Sequence, residues 1–217
     1  MFAKEKNNGS LKTRVYIARI PKSGKISTVY PPQRNDEIMA VSNENLKREK
    51  YYAWRLLECA LKDCMGIKIS DAELNKNENG RWISPYFELS ISHSGGAAAV
   101  AISSVGSPVG VDIELLQEPR RAQRMAEWLL SEEELNRYNS SSSPEEGMKL
   151  LIGVWTVKEA IFKAQDSYAF KPSQLDISDF CGRLHRETLT LGEQVYQLAV
   201  ASCINQEISS PIILNLD

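Results

Sequence analysis

Two carboxylates stand two residues apart in the run Val109-Gly110-Val111-Asp112-Ile113-Glu114 of this 217-residue chain. On an extended strand, a period of two places Asp112 and Glu114 on one face. Like charges that close are costly unless a cation stands beside them. A hard divalent ion such as magnesium meets that need, since it takes one or two carboxylates together with waters and phosphate oxygens. The bland alternative is a strand edge with two solvated acids. The apolar neighbours Val109, Val111, Ile113 and Leu115 favour a partly buried strand. A second pair, Glu159 and Lys163 in "WTVKEAIFKA", is spaced i to i+4 and shares a helix face, where alone it is an ordinary surface salt bridge. Lys158 points elsewhere on the helical wheel.

A third stretch, "ELSISHSGGAAAVAI", carries His93, one of two histidines in the chain, between Ser92 and Ser94 and ahead of Gly95-Gly96. Two chemistries compete for it. A nucleophile elbow of the G-x-S-x-G kind would make Ser94 reactive, with Asp112 and His185 as partners. It requires glycine where Ser92 stands and a helix directly afterwards, whereas an Ala/Val run follows. The other reading is a turn whose two hydroxyls, imidazole and unhindered backbone amides cradle phosphate oxygens.

The elements that must position these residues follow from periodicity. "TRVYIARI" from Thr13 reads as a strand. Residues 42–65 show helical spacing through Leu46, Tyr51, Trp54, Leu57, Leu61 and Met65, with Ser42 as cap and Gly66 as terminator. Residues 71–75 suggest a short helix, and Asn79-Gly80 a turn. "YFELSIS" and "AAAVAIS" are expected as strands flanking the Ser-His-Ser-Gly-Gly turn, and "VGVDIELL" as a third. A charged helix is expected over 119–139, then the polar loop "NSSSSPEEG". A long helix over 145–164 turns Leu150, Leu151, Val154, Trp155, Ile161 and Phe162 inward. "QLDISDF", "ETLTL" and "YQLAVASC" alternate as strands. Each half has a long helix followed by strands, with no sequence repeat between them.

Composition bounds the function. A hydrophobic share of 42% and a charged share of 25% belong to a soluble globular chain of one large or two small domains. A net charge of -2 leaves no global basic field for nucleic acid or an anionic membrane, so any anion site is local. Cys59, Cys64, Cys181 and Cys203 form no C-x-x-C and no zinc spacing. With no apolar leader before Val15 and no window of membrane-spanning length, a reducing cytoplasm is expected, with neither nucleic acid nor membrane as partner.

Taken together, "SISHSGG", "VGVDIE" and "WTVKEAIFKA" resemble, in order and spacing, the signatures of the 4'-phosphopantetheinyl transferases of the surfactin-synthetase-activating (Sfp) type. "ENGRWISPYF" looks like that family's Gly-Lys-Pro segment, with Arg81 for lysine and Trp82 for proline. "YYAWRLLECAL" looks like its first helix, with Arg55 at the basic position. The resemblance runs from about Lys47 to Ala164. It implies an α+β fold of two similar, pseudo-twofold-related halves, each a small antiparallel sheet packed on a long helix. Those halves would be residues 1–107 and 108–217, the second carrying the metal site.

The activity implied is transfer of the phosphopantetheine arm of coenzyme A to a serine of an apo acyl carrier protein or peptidyl carrier domain, releasing adenosine 3',5'-bisphosphate. Asp112, Glu114 and Glu159 would ligate Mg2+ or Mn2+, making Asp112 part of the catalytic set. Glu159 would also deprotonate the acceptor serine, directly or through a water. Lys163 would neutralise the departing bisphosphate. Ser92 and His93 would hold the phosphates of coenzyme A, with Arg55 and Arg81 as cations near the nucleotide. The nucleophile then belongs to the carrier, and a monomeric enzyme is expected. Lys47, Arg48 and Lys50 read more readily as a solvated helix face than as a 3'-phosphate contact. The polar loop "NSSSSPEEG" lies near where carriers are expected to dock. The rivals are a non-catalytic coenzyme A or nucleotide binder, a Ser94 hydrolase and a pure interaction module.

Overall fold

The computed structural model describes residues 12–167 and 169–216, so the expectation about an N-terminal leader falls almost wholly outside the described residues. Its architecture is α+β: two main sheets lie face to face, and one long helix covers the outer face of each.

The first sheet has the order β4-β5-β1-β9. Its members are β1 (Arg14–Arg19), β4 (Phe87–Ser94), β5 (Ala97–Ser104) and β9 (Ile212–Ile213). Both faces of β1 and β5 are covered, which is why these strands read as nearly continuous apolar runs. Tyr16, Ala18, Ala98, Val100 and Ile102 pack outward against α2 (Glu44–Met65), onto Trp54, Leu57 and Leu61. Val15, Ile17, Ala97, Ala99 and Ala101 pack inward on the second sheet. The α2 cap is Asn43, whose side chain accepts from the Leu46 N–H at 3.0 Å, one residue beyond the expected Ser42. Gly66 ends the helix in the left-handed region, φ 68°. A short α1 (Pro32–Met39) precedes α2. A two-stranded ribbon, β2 (Asn75–Lys76) with β3 (Trp82–Ile83), frames the Asn79-Gly80 turn. The helix expected at 71–75 is instead a single 3-10 turn, Ile69–Asp71.

The second sheet has the order β6-β8-β7, with β6 (Val109–Leu115), β7 (Arg183–Leu191) and β8 (Gln194–Ser202). On β8, Tyr196, Leu198 and Val200 face the first sheet, while Ala199 and Ala201 face α5 (Pro144–Gln165). Two helices, not one, occupy residues 119–139: α3 (Ala122–Leu129) and α4 (Glu132–Asn139). The break comes at Ser131, which forms a capping box with Glu134, an S-x-x-E signature that ends one helix by starting another. The long α5 is clasped on two sides. Val157, Ala160, Ile161 and Ala164 meet the second sheet, while Leu150, Leu151, Val154 and Trp155 meet α3 and α4. Leu150, Val154, Trp155 and Phe162 are therefore only half-buried rather than fully inward.

Lys158 is fully buried in α5, where its ammonium donates to Leu129 O (3.1 Å), Pro172 O (2.9 Å) and Glu134 Oε2 (2.6 Å). "QLDISDF" is not a strand. It begins on the last residue of one 3-10 turn, Pro172–Gln174, and contains a second, Ile177–Asp179, where the Asp176 side chain accepts from the Ser178 N–H and offers the backbone a turn. The C-terminal segment leaves the second half altogether: β9 runs parallel to β1, and Leu214 and Leu216 enter the core under α2. Among the described residues, no helix is long and apolar enough to cross a membrane.

Candidate active site

The two sheets meet at a polar seam along the edge strands β4 and β6. Ser90, Ser92 and Ser94 share one face of β4 by the period of two, and each hydroxyl engages β6. Ser90 Oγ accepts from the Val111 N–H (3.0 Å), Ser92 Oγ donates to Asp112 Oδ1 (2.7 Å) and Ser94 Oγ to Glu114 Oε2 (2.6 Å). The Ser-His-Ser segment is thus the end of a strand, and only Gly95 and Gly96, at φ 55° and 84°, form the turn. His93 faces the opposite way, toward α2, where its Nδ1 lies 3.1 Å from Glu49 Oε2. Glu49 also accepts from the Gly96 N–H (3.0 Å). Burial pushes the Glu49 carboxyl up, but its bonds with His93 and the Gly96 amide outweigh that and hold it below the usual carboxylate range.

Over this seam lies α5, brought to within backbone contact by Gly110. A Cβ at that position would sit 1.9 Å from Ala160 O and 2.6 Å from Ala164 N. Close approach sets Glu159 and Lys163 above the acid pair. Lys163 Nζ lies 2.7 Å from Asp112 Oδ1, 3.3 Å from Val111 O, 3.4 Å from Ser92 Oγ and 3.9 Å from Glu159 Oε2. The Trp155 indole N–H donates to Glu114 Oε1 at 2.9 Å. Burial raises the Glu114 carboxyl, Asp112 adds repulsion, and the bonds from Ser94 and Trp155 partly offset both. Glu159 is likewise raised by burial, eased by Lys163, then pushed further by Asp112 and Glu114.

Asp112 is 2% exposed, and its Oδ2 is buried without a hydrogen-bond partner among the described residues. An unspent carboxylate oxygen beside two mutually repelling acids is the donor chemistry a hard cation requires. Among the described residues, no group of three or more His, Cys, Asp and Glu side chains is placed to hold a metal ion as the side chains stand. Lys163 supplies the positive charge at Asp112.

Beyond Lys163 opens a cavity of about 500 Å³, bounded by the 78–82 turn, by Leu89, Ser90 and Ile91 of β4, and by Phe162, Lys163 and Asp166 at the end of α5. Arg81 is part of its wall, its guanidinium 3.4 Å from Asp166 Oδ1.

The model of the 4'-phosphopantetheinyl transferase superfamily matches residues 108–203, the span that contains Asp112, Glu114, Glu159 and Lys163. The 4'-phosphopantetheinyl transferase AcpT of Salmonella typhimurium is 28% identical over 160 residues, covering 70% of this chain and 77% of that protein. The chain is similar to the 4'-phosphopantetheinyl transferase superfamily over residues 108–203 and to that relative over most of its length. It is an enzyme of that class.

The structure brings together Ser92, Asp112, Glu114, Glu159 and Lys163, and Arg81 lines the same cavity as Lys163. It does not bring His93 or Arg55 to them. His93 is turned to α2 by strand alternation. Arg55 lies on the exposed side of α2, paired with Glu58, and lines a separate groove with Lys62 and Lys68. Lys47 pairs with Glu44 and Arg48 donates to Gly24 O, and both are half-buried, as is Lys50. The hydrolase triad does not assemble: Ser94 is bound to Glu114, Asp112 to Ser92 and Lys163, and His185 stands 3.3 Å from Glu187 on β7. Three polar contributors escaped the sequence reading. Trp155 had a legible signal, since 155, 159 and 163 form one i, i+4, i+8 stripe. Glu49 and Asp166 had none, because their partners are distant in sequence.

Proposed function

We propose that the chain is a transferase of the surfactin-synthetase-activating type. It moves 4'-phosphopantetheine from coenzyme A to a serine hydroxyl of an apo carrier protein and releases adenosine 3',5'-bisphosphate. The observation that carries this reading is the convergence of Asp112, Glu114, Glu159 and Lys163 on one seam, with Lys163 also lining a cavity whose wall includes Arg81. Two cations facing one cavity suit the phosphates of coenzyme A.

In this scheme the carrier serine oxygen bonds to the phosphorus that bears the pantetheine arm, and the bridging P–O bond to the adenosine bisphosphate breaks. Glu159 takes the serine proton, the role for which a carboxyl with a raised pKa is suited. Lys163 would offset charge on the leaving bisphosphate, and Ser92 and Ser94 hold Asp112 and Glu114 in place. Asp112, Glu114 and Glu159 are the residues that would hold Mg2+ or Mn2+, whose charge offsets that of the pyrophosphate. The enzyme acts as a cytoplasmic monomer, on carriers rather than on nucleic acid or membrane. The test is to incubate the protein with coenzyme A, magnesium and a panel of apo carrier domains and to weigh the carriers. Addition of one phosphopantetheine arm is expected. Coenzyme A binding with every carrier left unmodified would reduce the protein to a binder.

A further inference from the structure

We infer that Asp166 is a positioning residue: it bolts the 77–81 turn of the first half to the end of α5 and thereby fixes Arg81 in the wall of the cavity that Lys163 also lines, the two cations together receiving the phosphates of coenzyme A. The ligand in this statement rests on the reading above; the anchoring does not.

Asp166 caps α5 in the left-handed region, φ 49° and ψ 42°, a conformation that glycine adopts more freely. Its side chain accounts for its presence there. Oδ2 accepts from Asn77 Nδ2 (2.8 Å), and Oδ1 accepts from Asn79 Nδ2 (3.2 Å) while standing 3.4 Å from Arg81 Nη1. The Asp166 carbonyl accepts from Asn79 Nδ2 as well, at 3.1 Å. The turn is itself locked by Asn77, whose Oδ1 accepts from the N–H groups of Asn79 (3.0 Å) and Arg81 (2.9 Å). The result is a rigid turn with one carboxylate as its tether to a helix more than eighty residues away. The other arm of the Arg81 fork reaches Val109 O at 3.5 Å. Lys163 lies three residues before Asp166 on the same helix end, so one carboxylate sets the spacing of the two cations that line the cavity. An arginine held in this way is ordered before the ligand arrives, and binding does not have to order it.

The variants are Asp166→Asn, which keeps a residue tolerant of the left-handed region but loses the charge and one acceptor, and Asp166→Gly, which keeps the backbone and removes the tether. Amide hydrogen exchange of residues 77–82, measured on the free protein, is expected to speed up in both, most in Asp166→Gly. The KM and calorimetric Kd for coenzyme A are expected to rise roughly tenfold, the size of one charge-assisted hydrogen bond, with kcat changed by less than about threefold. In an Arg81→Ala background Asp166→Asn is expected to add nothing further, because the two act as one unit. Unchanged exchange across 77–82, or faster exchange with unchanged coenzyme A affinity, overturns the assignment. If coenzyme A affinity responds as stated while no carrier is ever modified, the anchoring stands and the transfer reading fails.

Discussion

At the scale of single residues, the site is a balance of charge around Asp112. Its carboxylate is buried, one oxygen is shared by Ser92 and Lys163, and the other has no partner among the described residues. In the proposed scheme Glu159 takes the serine proton, so Glu159→Gln, which keeps the side chain's shape, should lower transfer by at least about 100-fold, within the usual worth of a general base. The melting temperature should stay close to that of the parent. Carrier mass spectrometry and thermal melting read the two outcomes, and near-normal turnover would remove Glu159 from the mechanism. Lys163→Ala should weaken coenzyme A binding roughly tenfold and leave Asp112 buried without its cation, which costs stability. Magnesium should then raise the melting temperature more in Lys163→Ala than in the parent, because a ligand that binds only the folded state stabilises it. Equal shifts in the two proteins would argue against an ion at these acids.

At the scale of elements, the site depends on how near α5 can lie to β6. Gly110 has ordinary backbone angles, so its need is for space rather than for a special turn. Gly110→Ala should destabilise the fold by about 3 kcal/mol or more, since the obstructing atoms belong to helix backbone and cannot rotate away. A chemical denaturation midpoint like that of the parent would show the helix free to shift. The same elements explain what the sequence disclosed. The long helices were legible because α2 and α5 carry many turns of apolar spacing, and the acid pair because strand alternation is short-ranged arithmetic. The break at Ser131 was written in the S-x-x-E pattern and passed over in favour of the continuous charged run. Turns within "QLDISDF" imitate strand alternation. That His93 faces α2 while its neighbours face β6 also follows from a period of two, once Ser92 through Ser94 are placed in a strand rather than a turn. The reach of Asp166 to Asn77 and the clasp of Glu49 on the hairpin depend on tertiary approach, which no local pattern encodes.

At the scale of the whole molecule, the division into residues 1–107 and 108–217 separates β5 from β6 but does not separate two self-contained units. Leu216 is 6% exposed in the core beneath α2. Leu216→Ala should therefore cost about 2 to 3 kcal/mol, as buried leucine truncations do, despite its place near the end of the chain. A shift of the urea midpoint with an unchanged slope would register it; no shift would mean that the terminal segment is dispensable to that core. The pairing of β9 with β1 also has a temporal meaning. Because β9 is synthesised long after β1, the first sheet stays open along that edge until Ile212 and Ile213 have emerged. A ribosome stalled in the second half would display a nascent chain with an unclosed sheet, a natural target for chaperones.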